Sequence, residues 1–306
     1  MNILITGGNG FIAHHMILYF LEKTEHTIYT TYRSSRERIP CSSRVKLMKM
    51  NLNEMHKWDD CENMDFIIHM AANTWVDGSL KDCIPFIESN VLGTGHLLEW
   101  IKKNQPRARV CMFSSDEVLG PAKEGEYFKE DAPLKPSNPY SATKAAQEML
   151  AHSFVNSFGL DIFIVRSMNV IGENESENKF IGKTIKAIRE GKKITLHGTG
   201  PDNVASRHWI YARDVAQMVH SLFTRARTDE IYHIVGKEMD VYKLSEKLVK
   251  LITGRDISDN DVEFIDFHKA RPGHDKRYSL MNTKIPDVST PIDDVLKLMV
   301  GELNDN

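Results

Sequence analysis

A strand, a glycine-rich turn and a helix open this chain, and they constrain its fold more than any other stretch. Residues 2–6, NILIT, are apolar and β-branched, the pattern of a buried strand. TGGNGFIA follows at once, and FIAHHMILYFLEKT continues with apolar residues at helical spacing. Gly7 and Gly10 allow a tight turn and let an anion approach the backbone. The helix start adds free N–H groups and the positive end of a dipole, which makes Phe11 and Ile12 further candidate contacts. Ala13 stands where a third glycine often permits close helix–strand packing. An ordinary strand-to-helix turn would look similar. Its place directly after an apolar strand favours dinucleotide binding.

Strand and helix patterns then alternate. HTIYTTY, VKLMKMNL, MDFIIHMAA, ARVCMFSS and DIFIVRSMNV read as strands, while ESNVLGTGHLLEWIKKN and PYSATKAAQEMLAHSFVNSFG read as helices. Such alternation predicts an α/β fold: a Rossmann-type doubly wound parallel sheet covered on both faces. After Gly172 the pattern loosens into short strands, loops and helices. The expected division is residues 1–172 as the dinucleotide-binding part and 173–306 as a smaller, mixed α/β substrate-binding part. A segment near 211–236, containing EIYHIVG, is expected to return to the main sheet.

The 306 residues suffice for one large domain or two modest ones. A net charge of -3 points to neither nucleic acid nor membrane as a partner. Cys41, Cys61, Cys83 and Cys111 form no CxxC pair and no zinc spacing, so free thiols and no metal are expected. The start MNILITGG lacks the pattern of a signal peptide, and no apolar run is long enough to span a bilayer. A cytoplasmic protein is the expectation.

At the end of the second strand, dinucleotide-binding chains commonly carry an acid that accepts hydrogen bonds from the adenine ribose. From Thr27 to Ser35 this chain has none. Its TTYRSSRER stretch offers Arg33, Ser34 and Arg36, which suit a ribose 2′-phosphate and favour NADP over NAD. A solvated basic loop is the other reading. Asn51, with Leu52 behind it, falls where an adenine contact is possible, as does a plain loop residue.

PYSATK places Tyr140 and Lys144 four residues apart, on one face of a helix. An ammonium beside a phenol favours phenolate and makes a usable base. FSSDEVLG ends a strand with Ser115, Asp116 and Glu117 at the edge where open α/β sheets bind ligands. Two adjacent carboxyls there can divide acid and base work if their surroundings push their pKa values apart. A capping or solvated acid pair is the alternative.

GGNGFIA, HMAA, NVLGT, SSDEVLG, PYSATKAA and RSMNVIG occur in the order seen in the extended short-chain dehydrogenase/reductase superfamily. Within it the chain resembles nucleotide-sugar 4,6-dehydratases of the dTDP-glucose type, through Asp116-Glu117 and through ARPGHDKRY, residues 270–278. The resemblance implies a lyase with a recycled nicotinamide cofactor, working as a homodimer. Tyr140 would take the proton from the carbon-4 hydroxyl as hydride leaves, and Lys144 would hold the ribose and tune Tyr140. Ser115 would hydrogen-bond the sugar at carbon 4. Glu117 would remove the carbon-5 proton, Asp116 would protonate the hydroxyl leaving carbon 6, and hydride would return to carbon 6. The glycines and Ala71 of HMAA would contact the cofactor. Asp77, Asn169, Lys179, Arg207 and Arg271 match substrate positions, the last four near the diphosphate. His69 reads as structural.

Some positions depart from the pattern. TTYRSSRER is closer to the NADP loop of GDP-mannose dehydratases, and NTWVDGS replaces an SHVDRS-like run. Ile171 and Glu173 stand where Tyr and Pro are usual, and Leu119 where Tyr is typical. A 4-epimerase or 4-keto reductase on the same scaffold, or a silent NADPH-sensing regulator, are the competing readings. Neither needs the acid pair.

Overall fold

In a computed structural model, residues 1–58, 62–266 and 277–302 are described below. The chain begins β1 (Asn2–Thr6), α1 (Phe11–Lys23), β2 (Thr27–Tyr32), β3 (Val45–Lys49) and β4 (Phe66–His69). Next come α2 (Val76–Lys81), α3 (Ile84–Phe86) and α4 (Gly93–Asn104), the last two joined by a wider π-helical turn, Ile87–Leu92. β5 (Arg109–Ser115), α5 (Pro139–Phe158), β6 (Ile162–Ser167) and β7 (Asn169–Ile171) follow. The remainder is α6 (Phe180–Arg189), β8 (Ile194–His197), β9 (Ser206–Tyr211), α7 (Ala212–Arg225), β10 (Ile231–Ile234), β11 (Lys237–Asp240), α8 (Val241–Thr253), β12 (Val262–Ile265) and α9 (Ile292–Glu302).

Seven strands form the central sheet in the order β10-β6-β5-β4-β1-β2-β3, and every pair is parallel. Parallel strands are buried on both faces, which explains their unbroken apolar runs. Alternate residues serve opposite layers. Ile3, Ile5, Phe66, Ile68, Cys111, Phe113, Phe163 and Val165 pack with Met16, Ile17 and Phe20 of α1 and Val215, Val219 and Leu222 of α7. Leu4, Ile67, Val110, Met112, Ile162 and Ile164 pack with Leu97, Leu98 and Ile101 of α4 and Ala151 and Phe154 of α5.

The strand order reverses beside β1: β2 and β3 lie to one side, β4, β5, β6 and β10 to the other. A crevice at the carboxyl ends of the strands opens at such a reversal. DIFIVRSMNV, expected as one strand, divides at Met168. β6 stays in the central sheet, while β7 joins a smaller sheet in the order β11-β9-β7. The cause is tertiary: Asn169 and Ile171 pair with Trp209 and Tyr211 of β9. A second apolar cluster holds Ile181 and Ile185 of α6, Leu244 and Leu248 of α8, and Val295 and Leu296 of α9. Among the described residues no helix is long and apolar enough to cross a membrane.

Candidate active site

The glycine turn is built for close backbone approach. Gly7 has φ +76°, and a Cβ there would stand 2.8 Å from Ala71 Cα. A Cβ on Gly8 would lie 2.0 Å from Thr30 Oγ1. The turn is moored to β2, since Gly7 N donates to Thr31 Oγ1 at 3.0 Å and Gly8 N to Thr31 O at 2.8 Å. Gly10 precedes α1 without a side-chain cap, and the first turn of α1 has no acid. The N–H groups of Phe11 and Ile12 therefore lie at a helix end that favours an anion. This cradle fits the pyrophosphate of a dinucleotide. Asn9 Oδ1 accepts from Arg38 N at 3.0 Å, tying the turn to the basic loop. Arg33, Ser34 and Arg36 are exposed on that loop, and neither arginine forms an ion pair among the described residues. Asn51 caps a short 3₁₀ turn through its side chain, and Leu52 packs into the core beside α4.

Ser115, Asp116, Glu117 and Tyr140 come together at the carboxyl end of β5. Asp116–Leu119 is a single 3₁₀ turn, started by Ser115. Ser115 Oγ donates to Asp116 Oδ1 at 3.0 Å and accepts from Glu117 N at 3.3 Å. Asp116 is 7% exposed. Burial first, then the Glu117 charge, raises its carboxyl to about 7, although Ser115 and the Arg207 guanidinium act the other way. An acid with that pKa remains about half protonated at neutral pH, where an ordinary aspartate is fully ionised. Glu117 is half-buried, and its Oε2 accepts from Asn138 Nδ2 at 2.9 Å.

α5 sets Tyr140. Asn138 caps it, Pro139 occupies its first position, and Ser141 completes a capping box. Tyr140 packs with Val76 and Phe86, and its N–H donates to Ser79 Oγ at 3.2 Å. Here the structure differs from expectation. Burial, then Glu117, with Asp116 as a smaller contributor, push the phenol upward, and only a hydrogen bond with Ser115 opposes them. Lys144 Nζ donates to the Phe113 carbonyl at 2.6 Å, and burial lowers its pKa to about 8. In this arrangement Lys144 faces β5, one helical turn past Tyr140.

The expected substrate residues are spread more widely. Arg207, on β9, lies 5.1 Å over the Tyr278 ring and donates to Ser206 O at 2.7 Å. Its charge also acts on Asp116, opposing the rise of that carboxyl. Asn169 is on β7, the strand paired with β9, and its Nδ2 donates to His208 O at 3.5 Å. Lys179 stands at the N-cap position of α6, without a side-chain cap, and is exposed. Asp77 is half-buried in the first turn of α2, whose Val76 and Ser79 touch Tyr140. Arg271 lies outside the described residues. His69 is buried between Thr6 and Thr94, bonding each hydroxyl at 2.8 Å, and burial lowers its pKa to about 3. It is a neutral structural histidine.

Two supporting groups escaped the sequence reading. Asn90, buried in the π-helical turn, donates to Asn73 O at 3.0 Å and Thr143 Oγ1 at 2.9 Å, joining α5 to the loop after β4. Glu148 pairs bidentately with Arg166 at 3.0 and 2.8 Å and accepts from Ser114 Oγ at 2.5 Å. That buried pair fastens α5 to the ends of β5 and β6. The spacing of Lys144 and Glu148 on one helical face was a visible signal.

Residues 3–235 match the model of the NAD dependent epimerase/dehydratase family. The chain is 32% identical over 293 residues to the low-salt glycan biosynthesis protein Agl12 of Haloferax volcanii, covering 93% of this chain and 91% of that protein. It is 32% identical over 302 residues to the dTDP-glucose 4,6-dehydratase of Mycolicibacterium smegmatis, covering 94% and 86%. Among solved structures it is similar to DesIV, a dTDP-glucose 4,6-dehydratase from Streptomyces venezuelae with NAD and TYD bound. The TM-score is 0.88 and the identity 27%, over 100% of this chain and 98% of that one. The chain belongs to the NAD dependent epimerase/dehydratase family.

Proposed function

We propose that the protein is a lyase, a nucleotide-diphospho-hexose 4,6-dehydratase that makes a 4-keto-6-deoxy sugar. A bound nicotinamide dinucleotide supplies the acceptor and donor of hydride and, when oxidised, a positive ring charge. Tyr140 binds the carbon-4 hydroxyl and takes its proton, with Ser115 beside it. Burial and the Glu117 charge oppose ionisation of its phenol; the positive ring of an oxidised nicotinamide would favour the phenolate that accepts this proton. A ketone at carbon 4 acidifies the hydrogen on carbon 5, and Glu117 removes it. Asp116 gives a proton to the hydroxyl leaving carbon 6, which departs as water. Reduction at carbon 6 and reprotonation at carbon 5 complete the product.

The observation that carries this reading is the difference in surroundings of two adjacent carboxyls. Asp116 is held near neutral by burial, while Glu117 accepts a hydrogen bond from an amide, which favours its charged form. Epimerisation at carbon 4 requires no such pair. The relatives named above place dTDP-glucose first among substrates to try.

The absence of a ribose-binding acid from Thr27 to Ser35, with exposed Arg33 and Arg36, supports NADP as the cofactor. NAD, present in DesIV, is the alternative. Residues 1–172 with 211–236 hold the dinucleotide in this proposal, and 173–306 shape the sugar site, with Asn169, Lys179, Arg207 and Arg271 toward the diphosphate. A homodimer is proposed through α3–α4 and α5, where Ile84, Ile87, Leu92 and Met149 are exposed.

The test is incubation of purified protein with dTDP-glucose, UDP-glucose, UDP-N-acetylglucosamine and GDP-mannose, with mass spectrometry of products and of the released cofactor. Loss of one water, with a ketone trapped by reduction, is the expected result. Interconversion at carbon 4 without water loss would establish the epimerase instead.

A further inference from the structure

The base assigned to carbon 5 is tied to the helix that carries Tyr140 by one side chain. Asn138 is 6% exposed at the start of α5. Its Oδ1 accepts from Ser141 N at 2.9 Å, and its own N–H donates to Ser141 Oγ at 3.1 Å. Capping uses only the acceptor end of the amide. The donor end, Nδ2, reaches Glu117 Oε2 at 2.9 Å. Aspartate or serine would cap this helix as well. Aspartate has no hydrogen to give, and serine is too short to cap and reach Glu117 together. A carboxamide does both, because its two ends have opposite hydrogen-bonding character.

We propose that Asn138 is a positioning residue for the elimination step, its amide orienting the Glu117 carboxylate while its oxygen fixes the helix start that presents Tyr140. The inference rests on the dehydratase reading. Asp116 on the same turn and Tyr140 on α5 both interact electrostatically with Glu117, and Arg207 on β9 acts on Asp116. Within this set, Asn138 provides a neutral donor to Glu117.

The experiment compares wild type with Asn138→Asp and Asn138→Ser, both of which keep a capping oxygen. Thermal unfolding should change little in Asn138→Ser, whereas Asn138→Asp should lose stability as pH rises, because two largely buried carboxylates then face each other. The substrate is dTDP-glucose, or whichever nucleotide sugar the wild type dehydrates, prepared with deuterium at carbon 4 or carbon 5. Loss of a hydrogen bond to a charged group predicts a fall in kcat of about 10- to 100-fold in Asn138→Asp. The carbon-5 isotope effect on kcat should grow and the carbon-4 effect should not. The acidic limb of the kcat profile should move to higher pH, because a facing carboxylate disfavours ionised Glu117. Asn138→Ser should show the same signature more weakly, and decides the matter if Asn138→Asp does not fold. Wild-type kcat with unchanged isotope effects in the folded variants would overturn the inference alone. So would a loss that enlarges only the carbon-4 effect, which would assign the residue to Tyr140. A wild type that dehydrates no nucleotide sugar would overturn the underlying reading as well.

Discussion

Replacing Asp116 by asparagine should stabilise the protein while it stops water elimination. Burial and the Glu117 charge raise the Asp116 carboxyl from 3.8 to about 7. The folded state therefore holds this proton more tightly than the unfolded chain does. Below the unfolded value both states are protonated, and the residue imposes no penalty. As pH rises from about 4 to about 7 the unfolded chain ionises first, and stability falls; above about 7 the whole penalty is present. A rise of roughly 3 in pKa corresponds to about 4 kcal/mol at ~1.36 kcal/mol for each. An unfolding entropy of ~2.1 cal/mol/K per residue gives a chain this long about 0.6 kcal/mol per degree. The variant should thus melt about 6 °C above wild type at pH 8, and only about 1.5 °C above it at pH 4.5. Asparagine retains an oxygen for the Ser115 hydroxyl, now 3.0 Å from Asp116 Oδ1. Scanning calorimetry from pH 4.5 to 8.5, with cofactor content matched, measures the difference, and product assays should show a loss of about 100-fold or more. An equal or lower melting temperature at pH 8, or a gain independent of pH, would refute the reasoning.

In wild type, kcat for water loss should decline as pH rises past about 7, since ionised Asp116 has no proton to give; a profile flat to pH 9 would count against it. Glu148→Gln leaves Arg166, whose side chain is 2% exposed, without its counter-ion, and should cost about 3–5 kcal/mol in urea unfolding. Removing Arg33 and Arg36 together should weaken NADP binding by about 10- to 100-fold and leave NAD binding unchanged. Calorimetric titration of both cofactors checks this, and equal losses would mean the arginines do not select the 2′-phosphate. Met149→Glu puts a charge on the exposed apolar part of α5 and should turn a dimer into monomer in sedimentation velocity.

The central sheet was legible because its strands are buried on both faces, so NILIT, FIIH and VCMFSS needed no partner to be recognised. The glycine turn and the Tyr140–Lys144 spacing were legible for a similar reason: each is local chemistry written within one turn. What failed was long-range. Met168 ends β6 only because residues on β9 capture β7. Lys144 turns to the Phe113 carbonyl because β5 lies under α5. Arg207, far along the chain on β9, acts on Asp116 through its charge. Asn138 lies between these cases. SNPYSAT carries a readable helix cap, but the second half of the amide is spent on a residue 21 positions earlier.

The contrast between Asp116 and Glu117 also bears on the competing functions. They share a turn, a charge type and a neighbouring tyrosine, so sequence alone gives no reason for them to differ. Burial and two hydrogen bonds separate them. Asp116 is buried, with one hydroxyl donor beside it, while Glu117 is partly open and receives an amide hydrogen. The result is one carboxyl that burial holds toward its protonated form beside another that takes an amide hydrogen bond, both near a tyrosine whose ionisation burial and Glu117 oppose. An epimerase working at carbon 4 needs only the tyrosine, and would perform better without a carboxylate opposing its ionisation. A cofactor-sensing regulator needs neither. Only chemistry that removes a proton from one carbon and a hydroxyl from the next uses both carboxyls, and only there does their burden on Tyr140 have a counterpart in rate.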